Sequence, residues 1–562
     1  MKNNNQIRGF YLSALFLASQ AVFAAPPPPG ADAGTVYKEL KDLNKDISTA
    51  GELKSSVEDL AKVTKNIVPL GTTEDLAVQV KSIQLLGDLP PGIKIETISE
   101  ILMEPKTITR MSELKALAQK IEQIVHEGGY PLFKVTLPDQ EIFNGRVRML
   151  AYNGKIDKVV HVLPTKHRLD DELVQSYFTD LIETGGFKRL DFERTMLLLN
   201  DLPGVKARLI LNPGEEPGLI NADVEIAEGK LAQWTITADN FGADMTGRNR
   251  ITALVKLNDL TGVGDRLSVM GNMTSRNLYA GIVEYKRPIG ISGLVASVNA
   301  MVSDYQIGQN LVPLGVKGNS QSYEAGLSYP LILTFGRNLY ADFSVADKHF
   351  STTLADVSQT KNITVDKFGL RGSFTDSFLK GGTNFGNIYY YNGVVKPDQG
   401  FTDTTHQNYQ KYTFAAVRNQ SFVNGYSLMV SFSGQRTSDV LDSSEQASLG
   451  GATGVRAYGP SALFASKSNM LTAELSKDLG SAGEYGVIKS SVFYDRGSSL
   501  SDPVYGGTNT LQGAGLSLAL QKWGFYEAKV TYAHRLGKSS IGNLQDDNSS
   551  YGRVWLSLLT FF

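Results

Sequence analysis

Four patterns of apolar and polar positions succeed one another along the chain. An apolar run from Phe10 to Phe23 follows Lys2 and Arg8. At about 14 residues it falls short of the ~20 that cross a bilayer as a helix. With Val22-Phe23-Ala24 at its end, it predicts an export signal over residues 1–24, cut after Ala24. Within residues 25–65 a proline run, Pro26 to Pro29, gives way to a polar stretch. There Val36, Leu40, Leu43 and Ile47 recur at helical spacing and predict an amphipathic helix from about Asp32 to Ile47.

From Ala77 to Glu228 the elements are short and mixed. The pattern predicts a strand at Val78 to Leu86, helices near Thr97 to Met103 and Ser112 to His126, and strands at Leu132 to Leu137 and Val147 to Tyr152. The same order then repeats. A strand at Ile156 to Val162 is followed by helices near Asp170 to Ile182 and Leu190 to Leu199 and by strands at Val205 to Asn212 and Leu219 to Ile226. Self-similarity at roughly 75 residues predicts two tandem α+β modules, residues 66–152 and 153–228. Gly128-Gly129 and Gly185-Gly186 mark matching turns, followed by Tyr130 and Phe187.

Over residues 229–562 helical periodicity vanishes. Segments of about ten alternating residues are separated by Gly, Asn, Asp and Ser turns. In Asn338 to Asp347, for example, Leu339, Ala341, Phe343 and Val345 are placed to face lipid, and Asp342, Ser344 and Ala346 to face inward. Without a helix long enough to span, such a chain crosses a membrane only as a closed barrel, because lipid supplies no partners for free backbone groups. About 21 residues per strand and its share of turns gives close to 16 strands. The last strand sets Val554, Leu556, Leu558, Thr560 and Phe562 on one face. Leu556, Leu558 and the terminal Phe562 form the kind of pattern that outer-membrane assembly machinery reads. The fold class expected is thus mainly β, a transmembrane barrel behind two α+β modules.

Composition changes this picture little. The chain has 562 residues and a formal net charge of −2, values that also suit a soluble protein of several domains. Neither the balance of charge nor its distribution points to nucleic acid. The pairing of 55 Gly and 24 Tyr with no Cys in an exported chain excludes disulfides, which a fully paired barrel does not need.

The inventory of reactive groups argues against an enzyme. The six His are scattered without metal-ligand spacing, no Cys nucleophile exists, and Gly450-Gly451 lacks the context of a phosphate loop. No catalytic, metal or cofactor-binding residue is expected. The informative constellation is Leu449-Gly-Gly-Ala-Thr-Gly-Val-Arg-Ala-Tyr-Gly459, too rich in glycine for a strand and too apolar for an exposed loop. It predicts a long loop, about 440–467, that folds back into the barrel. Two hairpins further on, Lys489, Ser491, Phe493 and Asp495 share the inward face of a strand. Arg456 on the loop and Asp495 on the wall can pair bidentately in the weakly screened lumen. Alternatively, Asp495 pairs with a neighbouring wall residue and Arg456 is solvated.

At these residues the chain resembles the two-partner secretion transporters (TpsB), outer-membrane pores of the superfamily that includes the barrel-assembly insertases. The family's sixth extracellular loop carries a Val-Arg-Gly-Tyr tetrad; here it reads Val455-Arg456-Ala457-Tyr458, preceded by Gly454. Ala457 departs from the usual Gly, so it either takes an ordinary conformation or carries strain. The family's thirteenth-strand motif, Phe-x-Asp-x-Gly, is matched by Phe493, Asp495 and Gly497. Further matches are Leu199 to Val205, Pro213-Gly214, Asp239 to Gly242 and Gly262 to Asp265.

The resemblance implies that Arg456 and Asp495 anchor the loop in the lumen. It also implies that the modules are polypeptide-transport-associated (POTRA) domains in the periplasm and that the helix near Asp32 is a plug. The partners implied are a large secreted protein such as a haemolysin, an adhesin or a contact-dependent toxin, the barrel assembly machinery, periplasmic chaperones and outer-membrane lipid. An assembly insertase of the same superfamily is the alternative, and a passive porin, which has no use for two periplasmic modules, comes last.

Overall fold

The computed structural model describes residues 32–38, 40–41, 77–87, 89–103, 110–162, 167–183, 187–216, 218–308, 312–313, 315–397, 407–460, 462–500, 507–537 and 551–562. The predicted signal and its cut at Ala24, the proline run, Leu43, Ile47 and Gly185-Gly186 lie outside these residues. Helix α1 covers residues 33–38 and 40–41.

The first module contains β1 (Ser82–Leu86), α2 (Ile95–Met103), α3 (Met111–Glu127), β2 (Lys134–Thr136) and β3 (Arg146–Tyr152). The second contains β4 (Lys155–Val162), α4 (Asp171–Ser176), α5 (Thr179–Glu183), α6 (Arg189–Asp201), β5 (Val205–Pro213) and β6 (Leu219–Glu228). Their sheets have the same order, β1-β3-β2 and β4-β6-β5, with the first and last strands parallel and the middle one antiparallel. Each module buries its own core. Leu114, Ile121 and Val125 on the inner stripe of α3 meet Phe133 and Met149, and Leu199 of α6 meets Val224 and Ile226. The single helix expected over 170–182 is broken into α4 and α5, with Tyr177 and Phe178 buried at the break.

Sixteen strands then close into a barrel. They begin with β7 (Ala232–Asp239), β8 (Arg250–Asn258), β9 (Arg266–Thr274), β10 (Leu278–Ile289) and β11 (Leu294–Gln306). The tallest follow: β12 (Lys317–Thr334), β13 (Arg337–Leu354), β14 (Val357–Asp376) and β15 (Gly382–Pro397). After β16 (Asn408–Ser421) and β17 (Tyr426–Thr437), a small ribbon of β18 (Ala447–Ser448) and β19 (Phe464–Ala465) stands apart from the wall. The wall resumes with β20 (Ser468–Ser481), β21 (Val487–Ser499), β22 (Asn509–Lys522), β23 (Tyr526–Arg535) and β24 (Gly552–Phe561). Closure is antiparallel, with Thr235 of β7 opposite Phe561 and Asp239 opposite Ser557 of β24.

The alternation along each strand sorts the side chains. Val554, Leu556, Leu558 and Phe562 stand exposed on the outside, while Arg553 and Trp555, at the alternate positions, are buried. Strand β13 likewise exposes Val345 and turns Asp342 and Ser344 inward, where they bond Arg371 and Glu324. Several strands far exceed the ten residues expected. Part of the excess lies at the end beside the modules: β11 pairs with β12 only down to Val295 opposite Ser328, whereas β12 runs on to Thr334 paired with β13 alone.

The second module sits on this ledge and on the β8–β9 turn. Arg194 of α6 donates to the Pro330 carbonyl at 3.2 Å and to that of Ser292 at 3.1 Å. Tyr340 donates to Asp201 at 3.1 Å, and Arg168 reaches the Asp259 carbonyl at 3.2 Å. Burial raises the carboxyl pKa of Asp259, against the pull of a 2.8 Å hydrogen bond from the Gly264 amide. Gly264 has φ +75°, and a Cβ there would lie 2.8 Å from Leu202. Gly264→Ala should therefore cost about 1–3 kcal/mol at this turn and loosen the module from the rim. The expected result is faster proteolysis at the junction with the barrel's heat-modifiability on gels unchanged; proteolysis at the wild-type rate would refute the account.

Candidate functional site

Among the described residues, the lumen is occupied by two elements, the helix α1 and the segment between β17 and β20. That segment is the sixth of the connections on the side opposite the modules. It leaves the wall at Thr437, forms the β18–β19 ribbon inside the barrel and returns at Ser468. Its tip closes by backbone hydrogen bonds from Val455 to Leu449 at 2.8 Å, from Gly451 to Tyr458 at 3.0 Å and from Gly454 to Gly451 at 3.1 Å. Val455, Ala457 and Tyr458 are fully buried against Phe493, Leu511 and Ala533 of the wall.

Arg456 is clasped from several sides. Its Nε and Nη2 donate to Asp495 Oδ2 and Oδ1 at 2.8 and 2.9 Å, a bidentate pair, and its backbone amide donates to Oδ2 at 3.2 Å. Its Nη1 donates to Glu474 Oε2 at 2.6 Å. The guanidinium lies 3.3 Å from the centroid of Phe493, so the Phe and Asp two residues apart on one strand face grip the same group. Trp555 Nε1 donates to the Arg456 carbonyl at 2.7 Å, bringing the final strand into the site. Asp495 lies one hairpin past the loop, not two, because β20 is the only strand between the loop and β21.

Ala457 does not adopt a positive φ, and its methyl takes the space left by a glycine opposite. A Cβ on Gly513 would lie 2.6 Å from the Ala457 Cβ. Gly497 makes similar room, since a Cβ there would lie 3.0 Å from Val455. Arg535 donates to the Ala457 carbonyl at 3.2 Å and stacks over Tyr458 at 4.5 Å.

The stem of the loop is held by a second set of charges. Glu445, almost wholly buried, pairs with Lys348 of β13 and with Lys411 of β16, the latter at 2.8 Å, while Asp442 pairs with Lys361 of β14. Helix α1 leans on the same cluster. Ala33, Val36, Tyr37 and Leu40 are buried against Leu254, Met301, Tyr305 and Phe350. The Ala33 amide donates to Thr352 at 3.2 Å, Tyr37 shares a 3.2 Å hydrogen bond with Ser322, and Ser443 of the stem donates to Asp32. Lys41 pairs with Glu324 at 3.5 Å.

The sequence reading did not single out Glu474, Trp555, Gly513 or the stem charges. Lysines at inward-facing strand positions were the available signal for the last. Lys348, Lys361 and Lys411 all fall where strand parity directs a side chain into the lumen, and such charges need partners.

Comparison with known proteins places this geometry. The family model "Haemolysin secretion/activation protein ShlB/FhaC/HecB" matches residues 219–520. The heme/hemopexin transporter protein HuxB of Haemophilus influenzae is 26% identical over 571 residues, covering 97% of both chains. The outer membrane transporter CdiB of Escherichia coli O6:K15:H31 is 23% identical over 414 residues, 69% of this chain and 68% of the relative. Among solved structures, CdiB from Escherichia coli superposes with a TM-score of 0.72 at 18% identity over 96% of this chain and all of the other. BamA from Haemophilus ducreyi lacking POTRA domains 1-3 gives 0.51 at 12% identity over 86% of this chain and all of the other. These two likenesses concern the fold, a closed 16-stranded barrel behind two small α+β modules. With the family model spanning more than half of its length, the chain belongs to the ShlB/FhaC/HecB family of haemolysin secretion/activation proteins, the two-partner secretion transporters of the outer membrane.

Proposed function

We propose that the chain binds an unfolded exported protein in the periplasm through its POTRA domains and passes it through the lumen without nucleotide hydrolysis. The observation that carries this reading is the filling of the lumen. A barrel of 16 strands leaves an aqueous channel unless something occupies it. Among the described residues the occupants are a short helix and a loop, and the helix rests on the wall through an apolar stripe, hydrogen bonds to Thr352 and Ser322 and a 3.5 Å ion pair with Glu324.

For recognition, β5 offers the better edge. It is longer than β2, its far side carries no other strand among the described residues, and Ile210 and Leu211 stand exposed on it. An extended peptide added there gains main-chain hydrogen bonds for affinity and side-chain contacts for selectivity. The Haemophilus relatives are named for haem and haemopexin, which puts an exported haem-related protein first among the candidate partners. The brief β7–β24 register is the one feature that favours the insertase reading. A lumen occupied by α1 and the loop favours export.

Three outcomes test the proposal. Arg456→Ala leaves Asp495 buried without its main partner, a loss of about 3–5 kcal/mol for the loop seat. The barrel should remain heat-modifiable while export of its partner protein drops sharply; undiminished export would refute the anchor. Gly513→Ala should impair export by forcing Ala457 aside, and Ala457→Gly in the same chain should restore it; failure of the second change to rescue would count against their direct contact. Deleting residues 32–41 should raise single-channel conductance in planar bilayers, and an unchanged conductance would mean that α1 does not close the pore.

A further inference from the structure

The seam between β7 and β24 opens before it reaches the outer rim. Backbone pairing ends at Asp239 opposite Ser557. One residue further, Asn240 continues the ladder with its backbone and side chain together. Its amide N–H donates to the Leu556 carbonyl at 3.2 Å, its Nδ2 to the Val554 carbonyl at 3.1 Å, and its Oδ1 accepts from the Leu556 N–H at 2.8 Å. The chain then turns away, and the upper part of β24 borders a cavity of about 590 Å³.

This cavity is amphipathic. One wall is formed by Val554 and Leu556, which belong to the lipid-facing row and are 45% and 51% exposed. Among the described residues, the other is formed by Arg248, Arg276 and Arg553 around the carboxylate of Asp244. Asp244 pairs with Arg248 at 3.2 Å and with Arg553 at 3.6 Å, and its backbone carbonyl accepts from Arg276 at 3.0 Å. Arg248 and Arg276 thus set two guanidiniums beside an apolar surface. Tyr532, directly opposite Val554, and Tyr279, opposite Met273, point outward at this height, as aromatic residues do where hydrocarbon meets water.

We propose that this cavity binds one phosphate-bearing lipid of the outer leaflet, with its phosphate on Arg248 and Arg276 and its acyl chains along Val554 and Leu556. Guanidinium binds phosphate through paired hydrogen bonds that a planar fork matches, and the low dielectric of the interface strengthens them. Free phosphate would satisfy only the polar wall. The bound lipid covers the stretch of β24 whose edge strand β7 leaves unpaired.

Native mass spectrometry of the full chain in detergent, with added bisphosphorylated lipid A, its enzymatically dephosphorylated form or phosphatidylethanolamine, tests this. The wild type should retain one bisphosphorylated lipid under activation that strips the other two. R248A/R276A should bind it at least about tenfold more weakly, the effect expected from losing charge-assisted hydrogen bonds. Arg337→Ala, which removes a positive charge from the opposite rim, should bind as the wild type does, and all variants should stay heat-modifiable. Equal retention of the dephosphorylated lipid, full retention by R248A/R276A, or equal loss in Arg337→Ala would each overturn the proposal.

Discussion

Everything in this molecule follows from the need to pair every backbone amide that enters lipid. The strands meet that need by closing on themselves, and closure at 16 strands encloses a lumen wider than its own side chains can fill. The wall therefore solves one problem and creates another. Its interior must be occupied by chain that is held in place yet is not part of the wall.

The two occupants are held by different physics. At the loop tip a guanidinium is fixed by a bidentate carboxylate, a second carboxylate, an aromatic face and a hydrogen bond to its own carbonyl. At the stem, Glu445 and Asp442 are set among three lysines from three strands. Desolvating such charges costs much of what their attraction returns, so these pairs specify one position of the loop more than they stabilise the fold. Helix α1 instead presents an apolar stripe to the wall. Contacts also run down the lumen from Lys41 through Glu324 and Lys367 to Tyr389, Asp342, Arg371, Tyr340 and finally Asp201 of the second POTRA domain.

Strand parity made the barrel legible in the sequence, because a period of two survives in Val554, Leu556 and Leu558 whatever the neighbouring strand is. The modules were legible because the same order of elements occurs twice. Strand lengths were not: whether β12 stops at the lipid or continues to Thr334 depends on what rests on its end, and nothing local to Pro330 says that Arg194 does. At the loop, the residue types of Arg456 and Asp495 admitted a pair but did not exclude other partners. Trp555 and Gly513 were invisible for a further reason. Their roles are defined by contacts across a sheet from segments 99 and 56 residues away, 555 − 456 and 513 − 457, where no local pattern carries the information.

The seat of the second POTRA domain has a consequence for the order in which the protein is built. That domain has its own core and precedes every barrel strand in the chain, so it can fold before any of them is placed. Its seat is assembled from the β8–β9 turn, Ser292 and the β12–β13 ledge, which meet only when the strands between them stand in register. A unit able to fold before the barrel thus docks only after these strands are placed. A docked POTRA domain is a record, readable from the periplasmic side alone, that the barrel from β8 to β13 has been completed.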